Sequence, residues 1–271
     1  NAGGGFSLVG PSKITHCLVA DNIVTCGVGG GITLYDSSFL EQLPLPTGYP
    51  SVVESHIVGN RVLDGDGGGM LIDGSTCEDD FAPAISNCIV AENHVSDYGG
   101  GLSVIQASPP VVGCALLNNV SEYGGGVNVC DGARPVIRNS VIQNNRARSS
   151  GGGIAVACSS EETFGGQDSS LSLVSSMVVR NSAGESGGGL HFWVPYGTSV
   201  EGNAEPLLDG CVVAGNTAVS NGAGVHVRNV LATISVKNCS ILANKLNGDG
   251  RAAGVYFRGA STAKVDNCIL W

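Results

Sequence analysis

The stretch at residues 121–145, "SEYGGGVNVCDGARPVIRNSVIQNN", has three consecutive glycines near its start and two asparagines at its end. Three glycines are a poor beginning for a helix or strand, because glycine loses more conformational freedom on folding than any other residue. The stretch is nevertheless one copy of a repeat. Glycine triplets or degenerate copies recur at 3–5, 29–31, 67–69, 99–101, 124–126, 151–153, 187–189, 222–224 and 252–254.

A second motif keeps step with the glycine runs, which it precedes by five to eight positions. It is a short apolar run that closes on Asn22, Asn60, Asn93, Asn119, Asn145, Asn181, Asn216 and Asn244. Five positions before each closing Asn stands only Cys or Ser: Cys17, Ser55, Cys88, Cys114, Ser140, Ser176, Cys211 and Cys239, and by extension Cys268. Two motifs in fixed phase indicate a solenoid built from stacked units.

The unit is patterned for strands. After each glycine run, apolar residues occupy the first and third positions, as in Ile32 and Leu34 or Val127 and Val129, which is the period-two pattern of a strand. Two more strand-like runs complete the unit, and no helical period is sustained. We therefore predict one all-β domain over 1–271, a right-handed parallel β-helix of about nine coils with three short strands per coil. Coils are numbered here by their glycine runs.

The alternation of "GGG[IL]" with "[VIL]xxN" resembles the repeats of polymorphic outer membrane proteins, a family of chlamydial surface adhesins. More broadly, the chain is similar to the pectate-lyase-like β-helix superfamily. The resemblance covers the whole chain. It implies an extracellular or cell-surface location, and in the enzymes of the superfamily it implies an active site on the outer face of the first strand of each coil.

Composition excludes some function classes. The net charge of −10 is spread thinly along the chain, which argues against nucleic acid as a partner. No run of about 20 apolar residues is present, so we predict no membrane span.

Six of the ten cysteines fall in the Cys/Ser column. They are expected to be buried thiols, or alternatively bridges such as Cys211–Cys239, and Cys130 and Cys158 could also pair.

Extra residues between the glycine run and the Cys/Ser column point to loops. Coils two, three, six and seven carry them, whereas coils four and five are lean. If all loops leave one corner, they form two ridges about 10–15 Å apart, with a saddle over the lean coils. Such a saddle suits an extended glycan, and Ser103 and Asn128 are candidate ligand-binding residues on its floor.

Two columns of outward side chains follow the glycine runs, and they become distinctive in coils seven to nine. The second position gives His191, His226 and Tyr256, and the fourth gives Trp193, Arg228 and Arg258. A solvated polar face is one interpretation. Glycan binding by Trp193, Tyr196 and Arg228 is another. In a polysaccharide lyase, His or Tyr could abstract a proton and Arg could neutralise a carboxylate, so His191, His226, Tyr256, Arg228 and Arg258 are the catalytic candidates of that alternative.

Cofactor signals are weak, so we expect no cofactor. Acidic turns offer oxygen ligands for calcium at Asp64, Asp66, Asp73 and Asp79, without matching an EF-hand.

The chain begins and stops inside a repeat, which predicts a fragment of a longer chain. The expected function is a non-enzymatic extracellular scaffold or adhesin, with a polysaccharide or a cell-surface glycan or protein as partner. The alternative is a polysaccharide lyase or another glycan-processing enzyme.

Overall fold

The computed structural model describes residues 3–36, 48–75, 81–157, 169–193, 205–228, 233–259 and 262–271. In these ranges every regular element is a short β-strand, and each strand pairs in parallel with its counterpart one coil away. The predicted parallel β-helix of about nine coils is therefore confirmed.

The first sheet holds the strand that follows each glycine run. Its nine strands are stacked in the order of the chain and pair residue for residue, as Val127 does with Leu102 and Ile154. They are Phe6–Val9, Ile32–Tyr35, Met70–Asp73, Leu102–Ile105, Val127–Cys130, Ile154–Ala157, Leu190–Trp193, Val225–Arg228 and Val255–Arg258.

The second and third sheets are the other two predicted faces of the coil, and each has nine strands. The second comprises Lys13–Thr15, Ser51–Val53, Ala84–Ser86, Pro110–Val112, Val136–Arg138, Ser172–Val174, Leu207–Asp209, Thr233–Lys237 and Thr262–Asp266. The third comprises Leu18–Ala20, His56–Val58, Ile89–Ala91, Ala115–Leu117, Val141–Gln143, Met177–Val179, Val212–Ala214, Ser240–Leu242 and Ile269–Leu270.

A fourth sheet of eight two-residue strands was not predicted, because two residues are too few to show an alternating pattern. It lies between the closing Asn and the next glycine run, as Ile23–Val24, Arg61–Val62, His94–Val95, Val120–Ser121, Arg146–Ala147, Ser182–Ala183, Thr217–Ala218 and Lys245–Leu246. A further short pair joins Gly27–Val28 to Gly65–Asp66.

Three left-handed bends turn the chain in each complete coil. One falls on the residue before the Cys/Ser column, one on the residue before the closing Asn, and one on the first residue of the glycine run. In the fifth coil these residues are Asn139, Asn144 and Gly124, with φ of 52°, 56° and 64°. Asn and Gly tolerate positive φ better than other residues. The positive φ of these bends therefore explains why Asn and Gly recur just before the Cys/Ser column and just before the closing asparagines.

The closing asparagines form a continuous hydrogen-bonded ladder inside the stack. The Asn119 side chain donates from Nδ2 to Asn145 Oδ1 at 3.0 Å and to the Val90 carbonyl, and the Asn119 backbone N–H also donates to Asn145 Oδ1. The same pattern runs from Asn22 to Asn244. The amides therefore hydrogen-bond up and down the stack, and the side chains from Asn60 to Asn216 are fully buried.

The Cys/Ser column is a second ladder. Each γ hydroxyl or thiol donates to the carbonyl two residues before it, as Ser140 does to Arg138 at 2.9 Å and Cys239 to Lys237 at 3.0 Å. Where the next coil has Ser, its Oγ also accepts the backbone N–H of the coil before, as from Cys114. A small side chain with a γ donor is required, which explains why only Cys and Ser occur. All eight cysteines in the described ranges are free thiols, so Cys211 and Cys239 are not bridged.

The core lies between the first three sheets and consists mainly of aliphatic residues, of which each first-sheet strand in the middle of the stack contributes two. In the fifth coil these are Val127, Val129, Ile137 and Ile142, each fully buried. Each coil packs against the coils above and below it, so the core is continuous along the stack.

The glycine runs are explained by crowding as well as by the bend. A Cβ on Gly126, the third glycine of its run, would lie 2.7 Å from the Gly153 carbonyl oxygen, 2.9 Å from Ile142 Cγ2 and 3.0 Å from Asn145 Nδ2. The equivalent position in the last coil, Gly254, has no atom within 4 Å. Glycine is therefore required where another coil stacks above it.

This difference predicts the effect of alanine at two equivalent positions. Gly126→Ala should destabilise the protein by about 2 kcal/mol, because the added methyl has no space in a packed stack. Gly254→Ala should change the free energy of unfolding by less than about 0.5 kcal/mol. Urea denaturation followed by circular dichroism measures both, and equal losses would contradict the crowding explanation.

Candidate ligand-binding face

The candidate residues lie on the outer face of the first sheet, opposite the aliphatic core residues. At each strand, the second and fourth positions point outward while the first and third enter the core, as His226 and Arg228 alternate with Val225 and Val227. Strand periodicity thus located this face correctly.

The interpretation of a solvated polar face does not hold for His191 and His226, and the second position is buried in coils four and five as well. Ser103, Asn128, His191 and His226 point outward yet are no more than 8% exposed. The cause is the bend at the first glycine, which folds the preceding backbone against the second position: a Cβ on Gly222 would lie 2.9 Å from His226 Cβ. The sequence showed the alternation of inward and outward residues, but it did not show that backbone shields the second position.

Coils seven to nine bring together most of the predicted catalytic candidates. The Nδ1 atoms of His191 and His226 lie 3.1 Å apart, which is a hydrogen bond with the donor set by the tautomer. The Tyr256 ring stacks on His226 with centroids 5.5 Å apart, and the Arg228 guanidinium carbon lies 6.0 Å from the centre of the Trp193 ring. Arg258 pairs in register with Arg228 and is exposed.

Burial and positive charge keep the histidine pair neutral. Desolvation, followed by the charges of His226 and Arg228, lowers the pKa of His191 to about 3. Desolvation, followed by the charges of Arg228 and Arg258, lowers the pKa of His226 to about 4. Both rings are therefore uncharged at pH 7, and a substrate would have to displace packed side chains to reach either of them.

Two polar atoms in this cluster have no partner. His226 Nε2 and Arg228 Nε are buried and make no hydrogen bond. Leaving a buried donor unsatisfied costs roughly 1–3 kcal/mol, and more for a charged group.

The lean coils four and five hold a second cluster, built on tyrosines that the sequence analysis missed. Tyr98 and Tyr123 immediately precede their glycine runs and stack with centroids 5.5 Å apart and planes at 19°. Tyr98 is 37% exposed and Tyr123 is half-buried. Aromatic residues at the same repeat position in consecutive coils were the available signal.

Beside the tyrosine pair lie the two predicted residues of the saddle floor. Ser103 and Asn128 pair in register, and Gly99 and Gly124, which follow the tyrosines, bend against them. Ser103 Oγ and Asn128 Oδ1 are buried and have no hydrogen-bond partner. The Asn128 amide donates weakly to Cys130 Sγ at 3.6 Å.

Carboxylates surround this second cluster. Desolvation raises the pKa of Asp66 to about 6, a hydrogen bond from the Tyr98 backbone N–H opposes this, and Asp97 and Asp131 raise it further. Burial, together with Asp131, Asp66 and Asp73, raises the pKa of Cys130. The outer face is therefore acidic around Asp66, Asp97 and Asp131, whereas Arg228 and Arg258 make it basic in coils eight and nine.

The extra residues of coils two, three, six and seven all fall between the first-sheet and second-sheet strands, as the corner prediction requires. Tyr196, Asp79 and Cys158 lie outside the described residues, and so do most residues of the four insertions. The predicted partner of Cys158, Cys130, is a free thiol.

The described calcium candidates differ in their exposure. Asp64 is exposed, and Asp66 and Asp73 are half-buried. Among the residues that the structure describes, no group of three or more His, Cys, Asp or Glu side chains is placed to hold a metal ion. None of the described residues belongs to a helix with the length and apolarity that crossing a bilayer requires.

Comparison of the chain with family models, with curated proteins and with solved structures finds no match. The two clusters of the outer face are therefore the features from which a function can be inferred.

The neutral histidine pair predicts a pH dependence of stability. Both pKa values are depressed on folding, so the folded protein binds fewer protons than the unfolded chain. Stability should be full above about pH 7, fall as the pH drops, and level off below about pH 4 for His226 and about pH 3 for His191, with a loss of up to about 3 kcal/mol for His226. Urea denaturation between pH 7 and pH 4 measures this loss.

The control is a His191→Phe/His226→Phe variant, in which aromatic packing is kept and the titrating rings are removed. The variant should lose less stability than the parent over that pH range. The same loss in both proteins would contradict the buried neutral pair.

Proposed function

We propose that the chain is a non-enzymatic β-helix scaffold that binds a glycan over its lean coils, in the manner of an extracellular adhesin. The tyrosine platform, defined as the stacked rings of Tyr98 and Tyr123, is the observation that carries the proposal. A partly exposed aromatic pair offers an apolar face for a sugar ring.

The polar atoms beside the platform support a sugar ligand in particular. Ser103 Oγ and Asn128 Oδ1 lack partners, and sugar hydroxyls both donate and accept hydrogen bonds. Both atoms are buried, so a ligand reaches them only when the side chains that cover them move. Binding would then relieve the cost of the unsatisfied groups.

The position of the platform also fits the predicted saddle. It lies in coils four and five, between the insertions of coils two and three and those of coils six and seven. With stacked strands about 4.8 Å apart, ridges on either side leave about 10–15 Å for an extended chain. The resemblance of the repeats to polymorphic outer membrane proteins supports the surface location and the adhesin class.

Two features favour a scaffold over the alternative polysaccharide lyase. The repeat residues that are most regular, the asparagine and Cys/Ser ladders, are committed to hydrogen bonds between coils. The best-placed bases, His191 and His226, are buried and bonded to each other. A general base must come within hydrogen-bond reach of the proton that it removes.

A glycan array followed by affinity measurement tests the proposal. The protein should bind a defined set of glycans, and Tyr98→Ala/Tyr123→Ala should weaken binding at least tenfold, which is about 1.4 kcal/mol. Met177→Ala, at an exposed position of the third sheet, is the matched control and should bind as the parent does.

The same samples should show no cleavage of uronate polysaccharides. Absence of glycan binding, or binding that the tyrosine substitutions leave unchanged, would contradict the proposed site. Release of unsaturated sugars that is abolished by His226→Ala would establish the lyase instead.

A further inference from the structure

The cluster in coils seven and eight has a feature that the proposed scaffold does not use. His226 is only 3% exposed and Arg228 is half-buried. They occupy alternate outward positions of one strand, and both His226 Nε2 and Arg228 Nε are buried without a hydrogen-bond partner. Ser103 Oγ and Asn128 Oδ1 are also unpartnered, but neither of those atoms lies beside a cationic group such as the Arg228 guanidinium.

Both unpartnered atoms can be donors at once. The Arg228 Nε always carries a proton. His226 Nε2 carries one when His191 Nδ1 donates to His226 Nδ1, an arrangement that the 3.1 Å separation of the two Nδ1 atoms permits. Residues two apart on a strand point to the same side, so both side chains project from the outer face of the strand Val225–Arg228.

The surrounding charge favours an anion there. Arg228 stacks in register between Trp193 and Arg258, and the charges that act on His226 are those of Arg228 and Arg258. No described carboxylate forms a salt bridge with Arg228, since the ion pairs of the described residues involve His16 with Glu54 and Arg148 with Glu122.

We propose that His226 Nε2 and Arg228 Nε form a site for an oxyanion, such as the carboxylate or sulfate group of a ligand, which reaches these two buried atoms when the side chains that cover them move. One oxygen accepts from the imidazole and another from the guanidinium, a pairing in which the charged donor gives the stronger hydrogen bond. Trp193 forms one wall, because the Arg228 guanidinium carbon lies 6.0 Å from the centre of its ring. The site lies about three coils, or about 14 Å, from the tyrosine platform.

The oxyanion site and the tyrosine platform lie in different electrostatic surroundings. Asp66, Asp97 and Asp131 disfavour anionic groups, whereas Arg228 and Arg258 attract them. The two sites therefore differ in ligand chemistry, and the oxyanion site does not depend on glycan binding at the platform.

Trp193 provides a reporter for the test. The chain has two tryptophans, and Trp271 is 93% exposed, so a Trp271→Phe background leaves Trp193 as the emitter. Titration with sodium acetate, with sodium sulfate, and with sodium chloride at matched ionic strength should give a saturable change in emission for at least one oxyanion and none for chloride.

Two substitutions link the signal to the donors. Arg228→Gln and His226→Phe should each reduce the affinity at least tenfold, and Arg138→Gln, at an exposed position of the second sheet, should leave it unchanged. Circular dichroism confirms that each variant is folded, and Arg228→Lys replaces Arg228→Gln if the latter unfolds.

The His226 imidazole gives a second readout that a purely structural role would not move. Nitrogen NMR should show a shift of the Nε2 resonance on saturation with the oxyanion that binds. The proposal would be overturned if acetate and sulfate changed the Trp193 emission of the parent no more than chloride does. Saturable binding that survives both donor substitutions would also overturn it, because the anion would then lie elsewhere.

Discussion

The hydrogen-bonded ladder of closing asparagines is the constraint on which the rest of the structure depends. Each buried amide takes its partners from the coils on either side, so Asn119 joins Val90 to Asn145 and no coil is satisfied alone. A buried amide without partners is costly, and this fixes one Asn at one place in every coil. The register of all four sheets follows from it.

The outer face follows from the same stacking. Close approach of successive coils requires glycine next to the ladder, as at Gly126 beside Asn145 Nδ2, and the left-handed bend at the first glycine folds backbone over the second position of the next strand. Side chains there are shielded from water although they point away from the core. The result is a face on which polar atoms of Asn128 and His226 are buried without partners, and these are the atoms that ligands would satisfy.

The sequence was sufficient for most of the fold, because glycine triplets and closing asparagines mark every coil and alternation identifies the first strand. It could not reveal the two-residue strands such as Val120–Ser121, which carry no period. It placed Ser103 and Asn128 on one face but could not show the bend that buries them. It did not indicate the Tyr98–Tyr123 stack, because the alternation that identifies the outer face begins after each glycine run and the tyrosines stand before it.

A double-mutant cycle on neighbouring rungs of the asparagine ladder tests the central claim most directly. Asn119→Ala and Asn145→Ala should each lower the free energy of unfolding. The loss in the double variant should differ from the sum of the two single losses by at least about 1 kcal/mol, because the two amides share hydrogen bonds. Asn60→Ala and Asn216→Ala lie several coils apart, so their losses in free energy of unfolding should add within about 0.5 kcal/mol. Additive effects for the neighbouring pair would contradict the account.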